Sequence, residues 1–117
     1  MSRVTCAVAE VSLEAVREDH DTLLGSSFDP SEADALRGRH PRSTAGALAA
    51  KRAVCELLAV VSPGHEIQER DVVLGHSEQG APKVVGLERS APIAKEIFVS
   101  VTHTRRRALG LAAFQER

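Results

Sequence analysis

The longest continuous pattern in this chain runs from Pro41 to Val61, and the rest of the molecule has to pack around it. Ala50, Val54, Leu57, Leu58 and Val61 recur three or four residues apart, which places them on one face of a helix. Pro41 and Ser43 suit its opening, and Pro63-Gly64 ends it. Alanines flank Lys51 on this helix, so a neighbouring backbone or a ligand can approach closely. In a chain of 117 residues such a helix belongs to a single domain. The core it organises is aliphatic, because there are three Phe, no Trp and no Tyr. A domain this small buries a modest share of its surface, so self-association could add stability.

The elements around the helix can be read from period and punctuation. Val4 to Val11 reads as a strand, and Ser12 to Leu24 has helical spacing until Gly25-Ser26-Ser27 interrupts it. Asp29-Pro30-Ser31-Glu32 is a helix start: Asp29 caps, Pro30 suits the first turn and Glu32 reaches back. That helix ends near Gly38. Asp71 to Leu74 and Lys83 to Leu87 are short strands joined by a turn at Ser77-Glu78-Gln79-Gly80. Ser90 to Glu96 is a connection. Ile97 to Thr102 alternates, with Ile97, Val99 and Val101 on one side and Phe98, Ser100 and Thr102 on the other. Arg105 to Arg107 forms an exposed turn, and Ala108 to Phe114 returns as the last strand. This order predicts an α+β fold with an antiparallel sheet packed on one long helix.

A formal net charge of −1 gives no global reason to expect nucleic acid or a membrane surface as partner. The basic residues are nevertheless grouped, as Arg37, Arg39, His40 and Arg42, and again as Arg105-Arg106-Arg107. Such runs are commonly solvated surface; the sharper reading is a pair of anion sites for phosphates or an acidic partner. Cys6 and Cys55 match no metal spacing, and both lie in apolar stretches expected to bury free thiols. No apolar run suited to a signal peptide follows Met1-Ser2-Arg3, and no segment reaches about 20 apolar residues. A cytoplasmic protein is expected.

Taken singly, the residues with chemical potential are ordinary. Lys51 on an alanine-rich helix reads first as a snorkelling surface lysine. His103 ends a strand just before a turn, where ligands are often bound. Gly80-Ala81-Pro82 is turn chemistry. Taken together and in this order, they resemble the holo-acyl-carrier-protein synthases, the small branch of the 4′-phosphopantetheinyl transferases. That family's helix pattern Ala-Gly-Arg-Phe-Ala-Ala-Lys-Glu-Ala is matched by Ala45-Gly46-Ala47-Leu48-Ala49-Ala50-Lys51-Arg52-Ala53. Its Gly-x-Pro turn is matched by Gly80-Ala81-Pro82, and its Val-Ser-Ile-Ser-His-Ser strand by Val99 to Thr104. Phe28 and Glu32 stand where the family has a Phe followed by a Glu. The resemblance runs from about Phe28 to Phe114.

The resemblance implies a 4′-phosphopantetheinyl transferase-like fold, a homotrimer, and transfer of 4′-phosphopantetheine from coenzyme A to a serine of an acyl carrier protein. It implies Lys51, Arg52 and His103 as the catalytic set, with Arg39, Arg42, Gly80, Pro82, His103 and Thr104 holding coenzyme A. Attack of a hydroxyl on a diphosphate needs a base and a divalent cation, and the family uses Mg²⁺. Its ligands are an Asp on the first strand and the Glu after the helix Lys.

Here the Glu position is Arg52. In one register the strand Asp falls on Ala7 or Ala9; in another it falls on Glu10, the candidate metal ligand. Ala47 replaces the family's Arg, and Glu56 replaces a second helical Lys. Arg52 and Glu56 are four residues apart and can pair along the helix, for about 0.3–0.5 kcal/mol. Alternatively the Arg52 guanidinium takes the cation's place at the phosphates. Three readings follow: an active transferase with an altered site, a non-catalytic relative that binds coenzyme A or a carrier protein, and a trimeric structural domain.

Overall fold

The computed structural model describes residues 3–64, 66–76, 82–85 and 97–116. The chain forms β1 (Arg3–Ser12), α1 (Leu13–Glu18), α2 (His20–Ser26), α3 (Pro30–Arg37) and α4 (Pro41–Val61). A 3₁₀ turn (Glu69–Asp71) leads into β2 (Val73–His76) and β3 (Pro82–Val85), and then β4 (Phe98–His103) and β5 (Arg107–Glu116) close the fold. The order β1-β5-β4 makes one antiparallel sheet, and β2 pairs with β3 in a second. The two ends of the chain are therefore neighbours: Arg3 lies opposite Glu116 and Ser12 opposite Arg107.

The period of two in the strands decides which face meets α4. Ala9 and Val11 of β1 and Ala108 and Ala112 of β5 are buried on the inner face, beside Ile97 at the start of β4. Val4 and Val8, both 59% exposed, and Phe98, 70% exposed, lie on the outer face. The inner face is made of small residues because α4 comes very close to it. A Cβ on Gly110 would sit 2.3 Å from the Ala49 carbonyl oxygen. The alanines of α4 and the glycine of β5 are thus two halves of one packing solution, and the close approach is to backbone.

α4 is shared by two apolar clusters. Val54, Leu57 and Leu58 pack with Val72, Val84, Ile97 and Ala112. One turn earlier, Ala45, Leu48 and Ala49 pack with Val11, Leu13, Val16, Leu24 and Phe28. Each fully buried Leu, Val or Phe side chain contributes about 1.5–3 kcal/mol.

Four expectations are revised. The segment from Ser12 to Leu24 is two helices, not one. Asp19 leaves the helical region at φ −123° and ψ 28°, and the break lets His20 Nε2 meet Thr44 Oγ1 at 2.8 Å. Thr44 is fully buried and needs that partner. Asp71 does not start a strand: its carboxylate accepts from the Gln68 N–H at 3.0 Å and closes the 3₁₀ turn. Cys6 is exposed rather than buried, because its place in β1 has outer-face parity, while Cys55 is half-buried. The second short strand spans Pro82–Val85; the expected turn at residues 77–80, the end of that strand at 86–87 and the connection at 90–96 lie outside the described residues.

Candidate functional site

α3 begins where its sequence says it should. Asp29 accepts from the Ser31 N–H at 3.0 Å, and the Asp29 N–H donates to Glu32 Oε1 at 3.0 Å. The Ser31 hydrogen bonds hold the Asp29 carboxyl below its usual range. The capping carboxylate has a second task that local sequence does not announce. Glu32 Oε2 accepts from the Leu74 N–H at 3.0 Å, across 42 residues. Its Oε1 also accepts from Lys51 Nζ at 2.6 Å.

Lys51 is fully buried. Besides Glu32, its ammonium donates to the backbone carbonyls of Val72 and of Glu69. It lies 4.8 Å from the centre of the Phe28 ring. An ammonium has three N–H donors, and three acceptors face them. Burial pushes the Lys51 pKa down, and the Glu32 carboxylate opposes that shift. Lys51, expected in the catalytic set, is thus sealed inside the protein with its donors used. It joins α3, α4, the 3₁₀ turn and β2 from the inside.

Arg52, the next residue, has a different fate. Its Nε donates to Glu69 Oε1 at 2.8 Å. The pair is half in water, with the side chains 41% and 30% exposed. The ion pair forms with Glu69 of the 3₁₀ turn, not with Glu56 along the helix.

His103 ends β4, and its Nε2 lies 3.2 Å from the Arg42 carbonyl oxygen. A carbonyl only accepts, so Nε2 carries the proton in this contact. Gly46 makes the arrangement possible, since a Cβ there would come within 2.8 Å of His103 Nε2. His103 stands on the rim of a groove of about 450 Å³ between α3, α4 and β4. Gly46, Ala47 and Ala50 of α4 line it with Leu36 of α3, Arg39, Val101 of β4, Leu74 and Gly75 of β2, and the Lys51-paired Glu32. At 3.6 residues per turn, Arg52 lies about 200° around α4 from Ala50. One chain therefore does not bring Arg52 and His103 into one site.

The remaining expected residues are dispersed. The Arg42 side chain is exposed, and its carbonyl is the group that meets His103. Thr104 Oγ1 accepts from the Arg107 N–H at 3.1 Å, so its hydroxyl closes the β4–β5 turn. Gly80 lies outside the described residues, and Pro82 begins β3. Glu10 is on the outer face of the sheet and is ion-paired with Arg107. Strand parity turns it away from α4, which removes it as a metal ligand beside Arg52. It borders a wider cleft of about 840 Å³ with Arg17 and Arg105 to Arg107.

Mg²⁺ requires carboxylate oxygens with room for water. Among the described residues, no three His, Cys, Asp or Glu side chains gather to hold a metal. Glu32 is held by Lys51 and two backbone N–H groups, Glu69 by Arg52, and Glu10 by Arg107. A Mg²⁺ site does not fit these residues. Among the described residues, no helix is long and apolar enough to cross a membrane.

No protein-family model and no curated protein matches the sequence. Solved structures do match the fold. The apo-ACPS structure from Chronobacterium ammoniagenes has a TM-score of 0.79 at 17% identity, over 100% of this chain and 99% of that one. The Helicobacter pylori holo-[acyl-carrier-protein] synthase in complex with coenzyme A has a TM-score of 0.74 at 21% identity, over 92% and 97%. The Bacillus anthracis holo-(acyl-carrier-protein) synthase in complex with CoA (3′,5′-ADP) has a TM-score of 0.74 at 16% identity, over 96% of each chain. With near-complete coverage of both partners in each comparison, this α+β chain has the fold of the holo-acyl-carrier-protein synthases.

Proposed function

We propose that this chain binds coenzyme A, with an acyl carrier protein as its second partner, and does not carry out Mg²⁺-dependent transfer. The observation that carries this reading is the contrast between the groove and the charges around it. The groove beside His103 is lined mostly by small and apolar residues, with Arg39 and His103 among its lining and Glu32 neutralised by Lys51, which suits an arm with an anionic end. Glu10, Glu32 and Glu69 are each ion-paired with a cation of the protein, and no three metal-ligating side chains gather among the described residues. Coenzyme A is the ligand in the Helicobacter pylori and Bacillus anthracis neighbours, which supports that choice.

A homotrimer in the cytoplasm belongs to the same proposal. Its support is the exposed apolar outer face of the sheet, with Val4, Val8, Leu111 and Phe98. A ligand that met both His103 and Arg52 would have to span two copies, since the two lie on different sides of α4.

Calorimetry with coenzyme A tests the binding reading, and absence of heat overturns it. Gly46→Ala should weaken binding, because the new methyl displaces the His103 ring. The second reading is transfer of 4′-phosphopantetheine to the carrier serine, favoured by the close approach of His103 to Gly46, two residues that match the family pattern. Incubation with coenzyme A, Mg²⁺ and apo-carrier separates the two. The carrier mass should stay unchanged; added phosphopantetheine would establish transfer instead.

A further inference from the structure

We propose that the cleft between α1 and the β4–β5 turn is an anion site, separate from the groove beside His103, for a small ligand that carries two or more linked phosphate groups. Arg17 of α1 and Arg105, Arg106 and Arg107 of the turn line this cleft, together with Glu10 and Glu14. Arg107 is ion-paired with Glu10. Arg17, Arg105 and Arg106 are exposed and form no ion pair among the described residues. Four guanidiniums thus face two carboxylates in one recess, and a recess lined by an excess of one sign concentrates counter-ions.

The turn is held by groups other than these side chains. The Thr104 N–H donates to the Arg107 carbonyl at 2.8 Å, and Thr104 Oγ1 accepts from the N–H groups of Arg106 at 3.4 Å and Arg107 at 3.1 Å. The Leu13 N–H donates to the Arg106 carbonyl at 2.8 Å and ties the turn to the start of α1. Ser12 Oγ takes the Ala15 N–H at 3.3 Å. The backbone donors here are used inside the protein, so an anion has to be held by guanidiniums. Their planar forks match phosphate oxygens two at a time and stay charged at every working pH. The cleft, of about 840 Å³, is the size of a small-molecule site. Three of its four cations are consecutive in one turn, which gathers charge on a compact anion instead of spreading it along a peptide. This inference does not rest on the coenzyme A reading.

The probe is inorganic pyrophosphate, titrated into the intact protein at about 0.15 M ionic strength, where diffuse surface attraction is largely screened. Saturable binding is expected, with shifts at the Arg105 and Arg106 Nε–Hε resonances. Arg105→Ala combined with Arg106→Ala should lower the affinity about tenfold or more. Glu14→Gln, which removes an opposing charge, should raise it severalfold. Neither change touches the hydrogen bonds of the turn, so the thermal midpoint should hold; Arg17→Ala, on a different element, should give a separate loss of affinity. Gly46→Ala, in the groove, should leave pyrophosphate binding unchanged. No saturable binding at this ionic strength, or equal binding by the double variant, overturns the proposal. If Gly46→Ala weakens pyrophosphate as much as the double variant does, cleft and groove are one site and the proposal fails. A short poly-glutamate peptide that binds the cleft more tightly than pyrophosphate also overturns it, in favour of an acidic peptide. Pyrophosphate shifts in a protein that gives no heat with coenzyme A support the cleft and remove the groove reading alone.

Discussion

Lys51 and Arg52 are adjacent cations on one helix, and they occupy opposite kinds of environment. The region around Lys51 is dry: its charge is matched by Glu32 and two carbonyls in the space between α3, α4 and β2. The region around Arg52 is half-wet, with one carboxylate from the 3₁₀ turn and open solvent beside it. The difference follows from about 100° of helix rotation per residue. It teaches that a cation's neighbours, more than its presence in a motif, decide whether it can meet a ligand. The family-like segment ends in the sealed Lys51, whereas Arg52, which departs from the pattern, is half-exposed and paired with Glu69.

The comparison can be broken most directly at Lys51. Lys51→Met leaves the Glu32 carboxylate without its cation, and removing one partner of a buried pair costs about 3–5 kcal/mol. Urea unfolding should register that loss, and Glu32→Gln added to the same variant should recover much of it. A loss below about 1 kcal/mol would mean that Lys51 is not an internal brace. Next in size is Gly110→Ala, which tests what holds α4 against the sheet between the two regions. Its methyl would meet the Ala49 carbonyl oxygen at 2.3 Å, and overpacking of this kind costs about 1–3 kcal/mol. A shift in thermal midpoint measures it.

Arg52→Ala should cost no more than about 1 kcal/mol, since the pair it breaks is half-exposed. If it destabilises as much as Lys51→Met, the contrast between the two regions fails. The smallest effect concerns Cys55, near both. Burial pushes its thiol up from 9.0 to about 11, with Glu69 adding to the shift. The native state then keeps a proton that the unfolded chain has lost, so this contribution to stability is complete below pH 9.0 and falls as the pH rises towards 11. Cys55→Ala should flatten the decline in stability measured across that range. A disulfide reagent at neutral pH should label the exposed Cys6 well before Cys55.

Much of the fold was legible before any coordinates. The capping box at Asp29 and Glu32, the long helix from Pro41 and the alternation from Ile97 all express local rules: a side chain that satisfies an N–H nearby, or a period of 3.6 or 2. The candidate site was legible in part. His103 at a strand end and the small residues of α4 marked the groove, although the tight backbone contact under those alanines is with Gly110. The second task of Glu32 left no signal, because its partners Lys51 and Leu74 are 19 and 42 residues away. Glu69 was missed for the same reason: it sits in a short turn whose position beside Arg52 depends on how the chain returns after α4.

By itself, then, the sequence determined most of the elements, their order and the α+β class, since these depend on spacing and on neighbours within a few residues; the break at Asp19 and the 3₁₀ turn at Glu69–Asp71 escaped it. It also determined that a cation stands where the family pattern has a carboxylate. Only the tertiary structure decided which cation is sealed and which is open, that Glu10 faces away from α4, and that Arg52 and His103 lie on different sides of the helix. Those outcomes depend on the rotation of each side chain about its element and on groups brought together from distant parts of the chain, and no local pattern carries that information.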